Sequence, residues 1–246
     1  MSTSPAHGPI DRDRLLKLLQ EGELTLEGLL LWSSNTTFLG VVQDGSQKVL
    51  VVYKPTRGER PLWDFPPGTL AKREVAAWLV SEALGWGLVP PTVYRKGPHG
   101  PGMVQLFIDH DPDEHFFTFR DQNPPELPYI AAFDVVVNNA DRKAGHCLRD
   151  ATGRIWCIDH GICFHVEPKL RTVIWDFAGQ PLPRPIAADL ERLRPALAPG
   201  GTLRRDLAPY LSGEEIEALR LRVEGLLRAG RYPHPGPGRH VPWPLV

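Results

Sequence analysis

Asn138-Asn139-Ala140-Asp141-Arg142-Lys143-Ala144-Gly145-His146-Cys147-Leu148, followed by Trp156-Cys157-Ile158-Asp159-His160-Gly161, is the stretch that decides how this chain of 246 residues is read. His146–Arg149 and Arg154–Ile158 have strand character and flank the turn Asp150-Ala151-Thr152-Gly153, so they form a hairpin. Asp141 stands in the loop before the hairpin and Asp159 at its end. Folding the hairpin back brings the two carboxylates to one cleft. Such a pair suits phosphoryl transfer, in which one aspartate orients the attacking hydroxyl and the other holds a divalent cation on the phosphates.

Complementary parts lie upstream. Lys54 ends the strand-like run Val49–Lys54, where a phosphate-pairing lysine would stand. Glu74 follows on Leu70–Leu84, whose apolar residues have helical spacing, and is placed to hold that lysine by an ion pair. Read as a strand-end lysine, Lys54 is expected to leave the ligand-free stability nearly unchanged when replaced by Ala. Ser33-Ser34-Asn35-Thr36-Thr37 offers hydroxyls and backbone N–H groups to phosphate.

Phe38–Gln43 and Lys48–Lys54 form a hairpin across Asp44-Gly45-Ser46. Asp11–Gln20 is a short amphipathic helix, Thr92–Tyr94 and Met103–Ile108 are strands, and Leu127–Val137 is a helix because prolines crowd its start. Ile186–Leu197 is helical, and Ser212-Gly213-Glu214-Glu215 is a capping box opening a helix that Gly230 stops. Strands early and helices late give an α+β class. The expected divisions are a sheet lobe over 1–108, a helical lobe over 109–232 and a proline-rich tail over 233–246.

Composition narrows the function. With 28 Lys+Arg against 29 Asp+Glu the net charge is −1, which argues against nucleic-acid binding. Hydrophobic residues at 42% fit an ordinary globular chain. No apolar run approaches the ~18 residues of a membrane span, and Met1–Ile10 lacks the pattern of a signal peptide, so a cytoplasmic protein without stable membrane association is expected. Cys147, Cys157 and Cys163 form no CxxC and are expected as buried free thiols. Asp109–His115 is dense in carboxylates and histidines, but Pro112 and the charge suit a solvated loop. His146, Asp159, His160 and His165 also permit a metal-dependent hydrolase, although they lack the i, i+4 histidine spacing of a helix-borne zinc site.

A strand lysine, a helix glutamate, a D-R-x-x-x-(N/H) loop and an I-D-x-G turn, in this order, resemble the atypical kinases related to phosphatidylinositol 3-/4-kinases. HipA-type kinases are more distant cousins, and the resemblance is narrower to a bacterial branch found in actinobacteria and their neighbours. It covers roughly Leu24 to Leu182. It implies a two-lobed protein-kinase-like fold that binds ATP with Mg²⁺ or Mn²⁺ between a small antiparallel-sheet lobe and a mostly helical lobe. Lys54 would contact the α-phosphate and pair with Glu74. Gln105–Ile108, with Gln105 and Phe107 in it, would be the hinge strand whose backbone meets adenine. Asp141 would be the catalytic aspartate and Asp159 the metal ligand. Related kinases place Asn five residues after the catalytic aspartate, whereas this chain has His146, which favours Mn²⁺ over Mg²⁺. There is no G-x-G-x-x-G, and Ser33–Thr37 stands in its place. The expected activity is phosphoryl transfer to a hydroxyl of a protein Ser/Thr or a small molecule. The alternative is a catalytically weak nucleotide-binding pseudokinase.

Overall fold

The sheet that carries Lys54 is built from β-branched and aromatic residues whose alternation sends successive side chains to opposite faces. The computed structural model describes residues 11–30, 35–45 and 47–246. Five antiparallel strands, β1 (Glu23–Leu29), β2 (Phe38–Asp44), β3 (Gln47–Pro55), β4 (Thr92–Gly97) and β5 (Gly100–Leu106), lie in the order β1-β2-β3-β5-β4. Val42, Val51, Tyr53, Val93 and Val104 turn to one face and pack with Leu18 and Leu19 of helix α1 (Arg12–Glu21). Val52 and Met103 turn to the other face, against Ala71 and Val75 of α2 (Leu70–Leu84). Period two puts Lys54 on this second face with Val52. The strand therefore aims its lysine at the helix that carries Glu74.

Helix α2 is buried on nearly all sides. Ala71 and Val75 meet the sheet, while Ala76, Ala77, Val80 and Leu84 enter the core of the helical lobe. It ends at Gly85, whose φ of 73° only glycine adopts without strain, with the Gly85 and Trp86 N–H groups closing on Glu82 and Ser81 carbonyls. The helical lobe holds α3 (Phe116–Phe119), α4 (Leu127–Val137), the hairpin β6 (Cys147–Arg149) and β7 (Ile155–Cys157), α5 (Arg184–Leu197), α6 (Thr202–Leu207) and α7 (Gly213–Ala229). Its core gathers Ile130, Phe133, Val136 and Val137 of α4 with leucines of α5, α6 and α7. The fold is α+β, a sheet lobe joined to a helical lobe.

Several expectations shift in detail. The hairpin starts at Cys147 because Ala144–His146 forms a 3₁₀ turn, and the second strand is Ile155–Cys157. The strand expected at Met103–Ile108 is displaced to Gly100–Leu106. Strand β1 and helices α3 and α6 are additional. All three cysteines are free and buried. The proline-rich tail is irregular and packs on the helical lobe: the His240 carbonyl accepts N–H groups of Thr172 (3.2 Å) and Trp175 (3.1 Å), and the Leu245 carbonyl accepts the Ala144 N–H (2.8 Å). No helix among the described residues is long and apolar enough to cross a membrane.

Candidate functional site

Three elements converge on the Lys54 ammonium. Its Nζ lies 2.6 Å from Glu74 Oε1 on α2 and 3.0 Å from Asp159 Oδ1 beyond β7. Burial alone would lower the Lys54 pKa, but the Asp159 and Glu74 charges outweigh it and raise the value. Burial lifts the Glu74 carboxyl above its ordinary range, opposed by Lys54 and helped by Asp159. Burial would also lift Asp159, yet Lys54 and His146 hold it well below the carboxylate range. Asp159 therefore stays ionised. The other Glu74 oxygen accepts the His160 N–H at 2.8 Å, which fixes α2 directly to the I-D-H-G turn. Asp159 itself has φ 60°, a left-handed conformation enriched in Asp and Asn among non-glycine residues.

The loop carrying Asp141 hangs from a buried polar network. Helix α4 ends at Asn138, also left-handed at φ 53°, and the Asn139 side chain accepts the Asp141 N–H at 2.9 Å. Arg142, fully buried, donates from Nε to Asp134 (3.0 and 3.2 Å) and from Nη1 to the His146 (3.2 Å) and Ile158 (3.1 Å) carbonyls. It thereby ties the loop to both ends of the hairpin. Its Nη2 meets His160 Nε2 at 2.6 Å, and burial with the adjacent guanidinium keeps that imidazole neutral. Thr172 and Asn139 also donate to Asp134. Asp134 and Arg142 organise the site; the motif reading included Arg142 without a role and passed over Asp134. The signal was available: a lone carboxylate inside the apolar run Leu127–Val137 needs a buried partner.

Asp141 and Asp159 line one cleft of about 130 Å³ with Asn35, Arg60, Leu62, Leu70, Gly161 and Ile162. Burial and the neighbouring Asp159 charge push the Asp141 pKa up to about 6 against the Lys143 ammonium, 3.6 Å away. Arg60 was not singled out from sequence, because it reaches the cleft from the proline-rich loop only through tertiary contacts. Its N–H donates to Asn35 Oδ1 (2.9 Å), while the Thr36 N–H donates to the Gly58 carbonyl (3.1 Å). Asn35 thus joins the cleft wall, Thr36 beside it is tied to the loop that carries Arg60, and Ser33 and Ser34 lie outside the described residues. Gln105 lies inside β5, opposite Val52 and Thr92, and its side chain donates to Thr92 Oγ1 at 2.8 Å. The Phe107 N–H donates to the Leu50 carbonyl at 3.0 Å. Among the described residues, the Phe107 carbonyl and Ile108 N–H have no partner.

A divalent cation finds two converging donors. His146 Nε2 lies 3.3 Å from Asp159 Oδ2, and burial holds the imidazole pKa down to about 4, so it is neutral. Donors on adjacent vertices of an octahedron around Mg²⁺ are about 3 Å apart, given bonds of about 2.1 Å. Nε2 is the ring nitrogen facing Asp159, and it presents a lone pair to a cation in the tautomer that carries its proton on Nδ1, which forgoes the long 3.4 Å approach of the Lys143 N–H to Nδ1. Among the described residues no three His, Cys, Asp or Glu side chains form a metal cage. The arrangement fits a cation completed by phosphate oxygens and water, as nucleotide-bound Mg²⁺ is. It offers no donor set for a protein-caged hydrolase metal.

The fold has known counterparts. The hydra Fam20 structure with sugar superimposes with a TM-score of 0.59 at 15% identity, covering 88% of this chain and 87% of that one. The Golgi casein kinase with Mn/ADP bound gives 0.55 at 14% identity, covering 88% and 74%. At such identities the likeness is one of fold. Sequence reaches further: Protein Rv2133c of Mycobacterium tuberculosis (strain ATCC 25618 / H37Rv) is 42% identical over 95% of this chain and 96% of its own length. The sequence model of phosphatidylinositol 3- and 4-kinase matches residues 72–205, more than half of the chain and the part holding Glu74, Asp141, His146 and Asp159. By that match the chain belongs to the phosphatidylinositol 3- and 4-kinase family.

Proposed function

We propose that this protein transfers the γ-phosphoryl group of ATP to a hydroxyl acceptor, a protein Ser/Thr or a small molecule, with the nucleotide between the two lobes. The observation that supports this most is the ion-pair chain Glu74–Lys54–Asp159, which links the sheet lobe to the I-D-H-G turn. In this reading Lys54 neutralises nucleotide phosphate and Glu74 fixes its position. Asp159 and His146 hold Mg²⁺ or Mn²⁺, which when bound supplies positive charge to the phosphate oxygens. Arg60 adds a cation on the opposite wall of the cleft, beside Asn35 and Thr36 of the phosphate loop. Asp141 accepts a hydrogen bond from the acceptor hydroxyl and orients it for in-line attack. Adenine meets the Phe107 carbonyl and the Ile108 N–H, the end of the expected hinge that the sheet leaves unused, while Gln105 braces β5 behind it. Family membership and a fold neighbour solved with Mn/ADP support nucleotide and divalent-cation use.

The pseudokinase reading is favoured by one feature, His146 at the second metal position. Purified protein incubated with labelled ATP and Mn²⁺ or Mg²⁺ decides between the two. Autophosphorylation, ATP hydrolysis or transfer to an added hydroxyl substrate is expected. Tight nucleotide binding without turnover under either metal makes the protein a pseudokinase, and no binding at all overturns the proposal.

A further inference from the structure

On the helical lobe a half-open cavity of about 930 Å³ lies between the segment Val166–Arg171, helix α7 and the tail around His234–His240. It shares no lining residue with the nucleotide cleft. Leu170, Trp175 and Leu221 give it apolar surface, and Arg171, Arg222 and Arg239 give it three guanidinium groups. No ion pair among the described residues includes any of those three. The neighbouring Lys169 is already engaged by Asp64 at 2.9 Å, and Glu167 is the single carboxylate in the lining.

Two of the cations, Arg222 and Arg239, are held by backbone carbonyls. Arg222 donates from Nε to the Val136 carbonyl (2.8 Å) and from Nη1 to that of His165 (3.2 Å), and its Nη2 is buried without a partner. Arg171 Nε is likewise buried and unpartnered. Burial brings the Arg222 pKa down to about 10, against the opposing influence of Cys163 and Glu215. Like charges gathered in one cavity repel, and an anion entering it relieves all of them together. The volume is that of a single small-ligand site, and its mixed apolar and cationic lining matches a ligand with both characters.

We propose that this cavity binds an organic anion, a phosphate or carboxylate group carried on an apolar body, at a site separate from the nucleotide cleft. Arg171 makes the site consequential for the rest of the lobe. Its carbonyl accepts the Arg142 N–H (2.9 Å) and its N–H donates to the Asn139 carbonyl (2.8 Å), so the wall of the cavity is also a brace of the Asp141 loop.

The inference stands independently of phosphoryl transfer, and its test uses neither nucleotide nor divalent metal. Calorimetric titration of the full chain at low salt with 1-naphthyl phosphate, and with 1-naphthoate as the carboxylate form, is expected to show one site for at least one of the two. Neutral 1-naphthol is expected not to bind. Charge-assisted contacts of this kind make Arg239→Glu weaken the bound probe by about tenfold or more, and Arg222→Gln similarly. Arg239 is exposed, so its variant keeps the fold even where Arg222→Gln does not. Lys54→Met, whose side chain lies outside this cavity, is expected to bind the probe as wild type does at a temperature where the variant remains folded. Absence of binding to both anions, wild-type affinity in Arg239→Glu, or loss of binding in Lys54→Met would overturn the proposal.

Discussion

Lys54 neutralises two carboxylates at once, so its removal acts on stability as well as on ligand. The strand-end reading expects the ligand-free protein to tolerate Lys54→Ala; the enclosure of the ammonium reverses that expectation. Breaking a buried ion pair leaves an uncompensated charge, at a cost of roughly 3 kcal/mol, partly relieved if Glu74 takes up a proton. Lys54→Met is expected to lower the urea midpoint without nucleotide and to abolish most of the nucleotide-dependent gain. An unchanged midpoint would contradict the enclosed pair. Asp141 acts in the opposite sense. Its pKa near 6 lies above that of an unfolded aspartate, so its charge costs stability above pH 6, and the cost fades as pH falls toward 4. Asp141→Asn is therefore expected to stabilise the fold at pH 7–8 by no more than about 2 kcal/mol and to change nothing at pH 4. The same substitution should cut turnover by about 10²–10⁴-fold with little loss of ATP affinity, and remove an acid limb near pH 6 from the rate profile. Wild-type turnover in this variant would remove Asp141 from its role. For His146, a neutral imidazole facing Asp159 predicts that Mn²⁺ is preferred over Mg²⁺ and that His146→Asn moves the preference toward Mg²⁺. Identical metal profiles would mean that His146 is not a ligand.

Between elements, the contact that sets α2 against the helical lobe is buried. Arg73, 1% exposed, donates to the Cys163 carbonyl at 2.7 Å, pairs with Glu215 and lies over the Phe65 ring. Glu215 also accepts the Ser212 N–H at 2.8 Å in the capping box of α7. Glu215→Ala removes the cap and strands the Arg73 charge, and is expected to cost about 3–5 kcal/mol, whereas Glu215→Gln keeps the cap and loses less. Chemical denaturation of both variants checks this; equal losses would show that the charge on Glu215 is immaterial. The same elements show what was legible in sequence. Helices α2 and α4 were fixed to the residue because Gly85, Pro128 and Asn138 punctuate them locally. Strand β1 was hidden because its alternation carries only Leu24 and Leu26 inward, on an exposed edge. Helices α3 and α6 are too short for a 3.6-residue period to register. The aspartates and Lys54 were visible through their order along the chain. Arg60 was not, since only folding brings a proline loop to the cleft, and for Asp134 the sequence showed the need of a buried partner without showing that Arg142 supplies it.

At the scale of the whole molecule, a nucleotide that binds the native state alone lowers its free energy relative to the unfolded chain. Saturation at a hundredfold excess over Kd corresponds to about 2.7 kcal/mol, so millimolar ATP with Mn²⁺ is expected to raise the melting temperature by several degrees. A flat response to both metals would count against nucleotide use altogether. The tail takes part in this unity, because the Leu245 carbonyl receives the Ala144 N–H beside the Asp141 loop. That hydrogen bond joins residues about a hundred positions apart in the order of synthesis. At roughly 5–20 residues per second, a chain emerging from the ribosome holds Asp141 for about 5–20 s before its brace has been made. Translation thus delivers every residue of the cleft well before the clasp that steadies the Asp141 loop.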